Sequence, residues 1–202
     1  MSKPTQSFRI AIADDEPDVR QFFQEVLPLL GHEVVGVAST GRQLVEQCRA
    51  TRPDLVITDI KMPDMDGIDA AIEVNRDRSV PVILVTAHHE AELLARAASD
   101  HVMAYLSKPA KPIDLQAAIN LAMLRFDHFQ ALRQETASLR QALEDRKVIE
   151  RAKGAVMKRL GVDEEEAFSR LRRLASNHNR KLIDVAHQVV NAEEVFRLLD
   201  RC

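Results

Sequence analysis

The sequence contains no tryptophan and one tyrosine, and aromatic residues make up only 4% of its 202 residues. Six glycines and eight prolines are few for an all-β protein with many tight turns, so helices should dominate. The two cysteines, Cys48 and Cys202, are far apart, which excludes a disulfide framework and a zinc cluster. No apolar run approaches the ~20 residues of a membrane span, and residues 1–7 are too short for a signal peptide. We therefore expect a cytoplasmic protein without a membrane partner.

The formal net charge of −3 conceals an uneven distribution along the chain. Residues 1–121 carry a net charge of −6, whereas residues 122–202 carry +3. This division predicts two modules that have different partners.

Five short runs of aliphatic and β-branched residues alternate with helical patterns in the first 110 residues. They are residues 9–13, 33–37, 55–58, 80–85 and 102–106. Strands that are separated by helices favour right-handed crossovers and a parallel sheet with helices on both faces. The sequence therefore predicts a doubly wound α/β domain with five parallel strands.

The first helical pattern repeats its apolar residues every three or four positions, and Gly31 follows it as a helix terminator. The residues predicted to face the core are Val19, Phe22, Phe23, Val26, Leu29 and Leu30.

Pro112 is the last proline, and no glycine occurs between it and Gly154. This predicts one helix that ends near Leu160 and is roughly 60–70 Å long. A heptad pattern in its middle, with spacings of three and four residues, favours a short parallel coiled coil. A helix packed only on its own domain is the alternative. The predicted dimer residues are Phe129, Leu132, Thr136, Leu139 and Leu143.

The residues after Gly161 are expected to form two further helices, which with the end of the long helix make a small all-α domain. Asp163 and Glu166 have the spacing of a capping box at the start of the first of them. The residues predicted to be buried are Phe168, Leu171, Leu174, Ala175, Leu182, Val185, Ala186, Val189 and Val190.

Acidic side chains follow two of the predicted strands. Asp14, Asp15 and Glu16 come directly after the first strand, and Asp59 comes after the third. Ligands bind at the carboxyl ends of the strands in open parallel sheets, and grouped carboxylates favour a hard cation such as Mg²⁺. The fourth and fifth strands are followed by a hydroxyl at Thr86 and an ammonium at Lys108, which completes a site suited to phosphoryl transfer onto Asp59.

Five motifs in this order resemble the flavodoxin-like receiver domain of bacterial two-component response regulators. They are Asp14-Asp15, Asp59 with the following Ile-Lys-Met-Pro, the Asp66-Gly67 pair, Thr86-Ala87 and Lys108-Pro109. The resemblance implies that a sensor histidine kinase phosphorylates Asp59. It also implies Mg²⁺ held by Asp15, Asp59 and the Lys61 carbonyl, with Asp14 acting through water. Thr86 and Lys108 would bind the phosphoryl group, and Tyr105 would move inward with Thr86.

The sequence departs from the receiver pattern at two positions. His101 stands where receivers commonly have glycine, and Ala110 replaces the usual aromatic residue after Lys-Pro. These departures affect the expected switch surface rather than phosphorylation.

The C-terminal region is similar to the ANTAR domain, which binds RNA hairpins in nascent transcripts and prevents termination. The resemblance is carried by Glu150-Arg151-Ala152-Lys153-Gly154, Leu171-Arg172-Arg173-Leu174-Ala175 and Lys181-Leu182-Ile183-Asp184-Val185-Ala186. The candidate RNA-binding residues are Lys147, Arg151, Lys153, Gly154, Lys158, Arg172, Arg173 and Lys181.

The expected division is a phosphoacceptor receiver at residues 1–121, a coiled-coil linker helix at 122–146 and an ANTAR-like three-helix domain at 147–202. We expect a regulatory protein rather than an enzyme, although a receiver takes part in its own phosphotransfer and dephosphorylation. Phosphorylation would favour the homodimer and RNA binding. The alternatives are a DNA-binding helix-turn-helix regulator and a coiled-coil protein-interaction adaptor.

Overall fold

The computed structural model describes residues 6–87 and 101–199. The chain forms two compact units, Met1–Gln130 and Ala131–Cys202. The division at residues 121 and 146 stays a prediction. The strands are β1 (Arg9–Ala13), β2 (Glu33–Ala38), β3 (Leu55–Thr58), β4 (Val82–Thr86) and β5 (Val102–Ser107). The helices are α1 (Pro17–Leu29), α2 (Gly41–Thr51), α3 (Gly67–Asp77), α4 (Pro112–Leu160), α5 (Glu164–Asn177) and α6 (Leu182–Leu199).

The first unit contains a five-stranded parallel sheet with the order β2-β1-β3-β4-β5. Apolar side chains on both faces of the strands are buried, as a sheet covered on two sides requires. One face packs against α2 and α3, and the other packs against α1 and the start of α4. The predicted doubly wound α/β fold is confirmed.

The buried face of α1 differs from the predicted one at two residues, Leu27 and Leu29. Phe23 and Leu27, one turn apart, are buried, whereas Leu29 is 86% exposed. The prediction for Leu29 was wrong because Leu27 occupies the i+4 position below Phe23, and two residues further along a helix the side chain points away from the core. Gly31 ends the helix with a φ of +89°, as expected.

The second unit contains the end of α4 together with α5 and α6. Ala152, Leu171, Ala175, Val185 and Ala186 form its buried core.

Backbone signals delimit these helices as expected. Gly161 follows α4 with a φ of +66°, and the Asp163 side chain accepts a hydrogen bond of 2.8 Å from the Glu166 N–H.

Leu174 is 45% exposed, so its predicted burial was wrong, since Leu171 and Ala175 fill the inward positions of α5. None of the helices in the described ranges is long and apolar enough to cross a membrane.

Candidate functional site

Four carboxylates lie together at the carboxyl end of the sheet. Because β1 and β3 are neighbours, Asp14 and Asp59 occupy adjacent strand ends and are only 1% and 6% exposed. Asp15 and Glu16 continue the chain into the same crevice, and each of the four residues contributes an oxygen within 4.8 Å of the others. This oxygen-rich donor set is of the type that binds Mg²⁺.

Lys108, which follows β5, places its ammonium among these carboxylates. Its Nζ lies 2.7 Å from Asp14 Oδ2, 2.7 Å from Asp59 Oδ2 and 2.9 Å from Glu16 Oε1. The sequence predicted Lys108 beside Asp59 and Glu16 within the carboxylate group, but it did not predict the contact between Lys108 and Glu16.

Burial and the neighbouring charges shift the pKa values of Asp14, Lys108 and Glu16. Burial raises the pKa of Asp14 despite the opposing hydrogen bond from Lys108. Burial alone would lower the pKa of Lys108, but its hydrogen bonds to Asp14, Asp59 and Glu16 more than offset this and raise it. The Lys108 ammonium lowers the pKa of the exposed Glu16 carboxyl. Lys108 is therefore a permanent cation in this site.

Backbone groups hold the two buried carboxylates in place. Asp59 Oδ1 accepts a hydrogen bond of 2.6 Å from the Ile60 N–H, and Asp14 Oδ1 accepts one of 3.0 Å from the Glu16 N–H. Arg20 Nη1 donates to the Asp14 carbonyl at 2.7 Å and to the Asp15 carbonyl at 2.9 Å. No sequence pattern indicated this role of Arg20, because a contact with a backbone carbonyl leaves no signature in residue spacing.

Gly67 allows the start of α3 to approach the end of β3. A Cβ at this position would overlap the backbone carbonyl oxygen of Asp59 and contact the Thr58 side chain. The Asp66 side chain caps α3 by accepting a hydrogen bond of 2.8 Å from the Asp69 N–H. The Asp-Gly pair noted in the sequence thus fixes the loop that follows the phosphoacceptor candidate.

Replacement of Gly67 by alanine is expected to destabilise the protein by about 1–3 kcal/mol, because a backbone carbonyl cannot yield to the added methyl group. Gly154→Ala is the matched control, since its Cβ would meet nothing within 4 Å and alanine favours a helix by up to about 1 kcal/mol. Urea unfolding measures both changes. Equal stability of Gly67→Ala and the wild type would contradict the close approach.

The remaining predicted receiver residues lie around this crevice. Thr86 is the last residue of β4, but its side chain lies outside what the structure describes. Tyr105 lies on β5 with 41% of its surface exposed, and Lys61 is exposed two residues after Asp59. Ala110 lines an apolar groove beside Lys108.

His101 does not have the left-handed backbone that glycine favours. The described non-glycine residues with positive φ are Arg52, Asp64 and Asn179. The His101 ring instead packs edge-on against Phe129, with 6.1 Å between the ring centroids. The ring at this position thus contacts the long helix α4.

Three of the predicted RNA-binding residues lie together in the second unit. Arg151, Gly154 and Lys158 line one groove between α4 and α6, as their spacing of three and four residues predicts. Lys147 precedes them on the same helix, where its Nζ lies 2.7 Å from Glu144 Oε1. We call Lys147, Arg151, Gly154 and Lys158 the basic face.

Lys153 is placed differently from the expectation. The residue is only 8% exposed, and its Nζ lies 2.8 Å from Glu150 Oε2 and 2.6 Å from Glu164 Oε1. These carboxylates raise the Lys153 pKa and join α4 to the start of α5. Lys153 thus acts within the fold of the second unit, because its position in the helix points it toward α5 rather than into the groove.

The other basic candidates are exposed. Arg172 and Arg173 line a shallow surface with Phe168 on α5, and the Arg172 guanidinium lies 5.9 Å from the centroid of that ring. Lys181 is exposed immediately before α6. Arg151 and Lys158 in the groove and Arg172 and Arg173 on α5 therefore form two separate basic surfaces.

The predicted coiled-coil residues are mostly exposed within a single chain. Leu132, Leu139 and Leu143 are 65%, 60% and 59% exposed on α4. The Thr136 hydroxyl donates a hydrogen bond of 2.8 Å to the Leu132 carbonyl of its own helix. Phe129 differs, because it packs against the core of the first unit, so the exposed apolar row begins at Leu132.

Comparisons with known proteins match both parts of the chain. The model of the response regulator receiver domain matches residues 10–120, and that of the ANTAR domain matches residues 137–190. The transcriptional regulatory protein PdtaR of Mycobacterium tuberculosis is 42% identical over 182 residues, which cover 90% of this chain and 89% of that protein. The chemotaxis protein CheY of Thermotoga maritima is 32% identical over 55% of this chain and 94% of its own.

Solved structures of receiver domains align with more than half of this chain. The receiver domain of the response regulator NarL from Mycobacterium tuberculosis aligns with a TM-score of 0.54 and 29% identity, covering 57% of this chain and 94% of that one. The receiver domain protein from Clostridium thermocellum aligns with a TM-score of 0.54 and 32% identity, covering 58% and 94%.

Proposed function

The chain belongs to the response regulators that carry a receiver domain followed by an ANTAR domain, and from this we propose that phosphorylation of Asp59 controls its binding to RNA. A sensor histidine kinase is the proposed phosphodonor. The phosphorylated form would dimerise through α4, bind hairpins in nascent transcripts in the cytoplasm and prevent transcription termination.

The observation that carries the proposal is the contact between Asp59 and Lys108 inside the carboxylate cluster. A carboxylate oxygen of Asp59 would attack the phosphorus of a phosphohistidine, so that a P–O bond forms, the P–N bond breaks and the imidazole leaves. Lys108, 2.7 Å from Asp59, is placed to neutralise charge on the transferred phosphoryl oxygens. Thr86 at the end of β4 would donate its hydroxyl to the same group.

The donor set around Asp59 fits a magnesium ion. Asp15, Asp59 and the Lys61 carbonyl would hold it, with the buried Asp14 acting through water, and the exposed Asp15 and Glu16 leave that side open to solvent. The ion would supply positive charge that relieves repulsion between the carboxylates and the incoming phosphoryl group.

The exposed leucines of α4 support the proposed dimer. Full burial of a leucine contributes roughly 1.5–3 kcal/mol, before association costs are subtracted. Leu132, Leu139 and Leu143 are thus sufficient for a marginal dimer that a change in the receiver could stabilise or disrupt.

Leu139→Asp is expected to shift the phosphorylated protein from dimer to monomer, because two buried carboxylates would face each other in the parallel seam. Sedimentation velocity measures the change. Ser138→Asp is the matched control, since it adds the same charge at the neighbouring outward position. If the wild type and Leu139→Asp sediment identically, this seam is not the dimer interface.

The exposed basic residues of the second unit support the RNA part of the proposal. RNA phosphates would bind Arg151 and Lys158 in the groove, and Arg172 and Arg173 on the separate surface of α5. Sequence would be read from unpaired loop bases, because A-form stems hide their base edges.

A further inference from the structure

The groove that contains Arg151 and Lys158 has an acidic opposite wall. Glu193 and Glu194 of α6 line the same groove of about 410 Å³, together with Arg197. These glutamates lie beyond residue 190, where the match to the ANTAR domain ends. We call Glu193 and Glu194 the acidic wall.

Contacts with the end of α4 anchor the acidic wall. The Arg159 guanidinium lies 3.8 Å from the centroid of the Phe196 ring, and its Nη1 lies 3.9 Å from Glu193 Oε2. Glu193 Oε1 lies 3.6 Å from Arg197 Nε, and only 16% of the Glu193 side chain is exposed. The last turns of α6 are therefore held beside the basic face rather than projecting from it.

Of the two glutamates in the acidic wall, Glu194 has the unpaired carboxylate in the part of the chain that the structure describes. It is exposed and has no ion-pair partner within residues 6–87 and 101–199. A carboxylate is an anion with the same preference for guanidinium and ammonium groups as a phosphate. Because basic and acidic side chains line the same groove, the glutamates repel RNA phosphates that approach Arg151 and Lys158.

We propose that the acidic wall competes with RNA phosphates for the basic face and thereby lowers the RNA affinity of the second unit. The inference rests on the proposed RNA-binding function and adds a regulatory element to the same site. It assigns a role to the C-terminal turns of α6: they suppress indiscriminate binding of polyanions, because such binding depends almost entirely on charge.

The test is a filter-binding titration of the full chain, phosphorylated with acetyl phosphate and Mg²⁺, against a pool of two-hairpin RNAs with randomised loops. Glu194→Gln is expected to bind the pool about two- to fivefold more tightly at low salt, with a difference that shrinks as salt screens the charges. Asp184→Asn is the matched control, because it removes the same charge from α6 about 15 Å away along the helix.

Each outcome decides between the proposals. Tightening in Glu194→Gln alone supports the acidic wall. Unchanged affinity of Glu194→Gln, or equal tightening by Asp184→Asn, overturns the proposed role of the acidic wall. In either case, salt-dependent RNA binding by the wild type would still support the proposed function. If the wild type and both variants all fail to bind the pool, the proposed function fails and the inference fails with it.

Discussion

Asp59→Asn is expected to reduce phosphoryl incorporation from a small phosphodonor to background, whereas the wild type gains one phosphoryl group. Asp59 is the buried carboxylate that Lys108 contacts at the end of β3, and an amide oxygen is a far weaker nucleophile than a carboxylate. Intact-mass spectrometry after incubation with acetyl phosphate and Mg²⁺ measures the change, and removal of the metal with EDTA should reduce labelling of the wild type.

Asp64→Asn is the control for this substitution. Asp64 lies exposed in the same loop with a φ of +68°, a backbone conformation that asparagine tolerates well. It should be labelled like the wild type. Equal labelling of Asp59→Asn and Asp64→Asn would show that the phosphoacceptor is another residue.

The double substitution Arg151→Ala/Lys158→Ala is expected to weaken binding to two-hairpin RNA by about 10- to 100-fold at low salt. Both side chains line the groove, and each phosphate contact that is lost should reduce the slope of log affinity against log salt by about one. Fluorescence anisotropy over a series of salt concentrations measures the affinity and the slope together.

The control for this pair retains the charges. Arg151→Lys should keep the salt slope and lose affinity only where the guanidinium makes two hydrogen bonds that an ammonium cannot reproduce. An unchanged slope in the double alanine variant would exclude the groove as a phosphate-binding surface and would leave the Arg172 surface on α5 as the candidate.

The sheet and its helices could be predicted because their signals are periodic. Apolar runs at five positions gave the strands, and Gly31, Gly161 and the Asp163 cap gave three helix ends within one residue. The buried face of α1 was less certain, because Leu27 and Leu29 are equally apolar and only tertiary packing distinguishes them.

Site residues that directly follow strands could be predicted from the sequence. Residues whose contacts depend on the direction of a helical side chain could not. Asp14, Asp59 and Lys108 follow strands that the sheet order brings together, so their meeting follows from topology. Lys153 resembles the other basic residues of α4 in sequence, but its contacts with Glu150 and Glu164 depend on where α5 packs.

Phosphorylation-dependent RNA binding is the central claim, and one titration tests it most directly. A two-hairpin RNA is titrated with the wild type and with Asp59→Asn, each with and without acetyl phosphate and Mg²⁺. The account predicts that phosphorylation tightens RNA binding by the wild type only, and that duplex DNA of the same sequence competes poorly. Equal affinity in all four titrations would contradict phosphorylation control, and preference for the duplex DNA would favour a helix-turn-helix regulator instead.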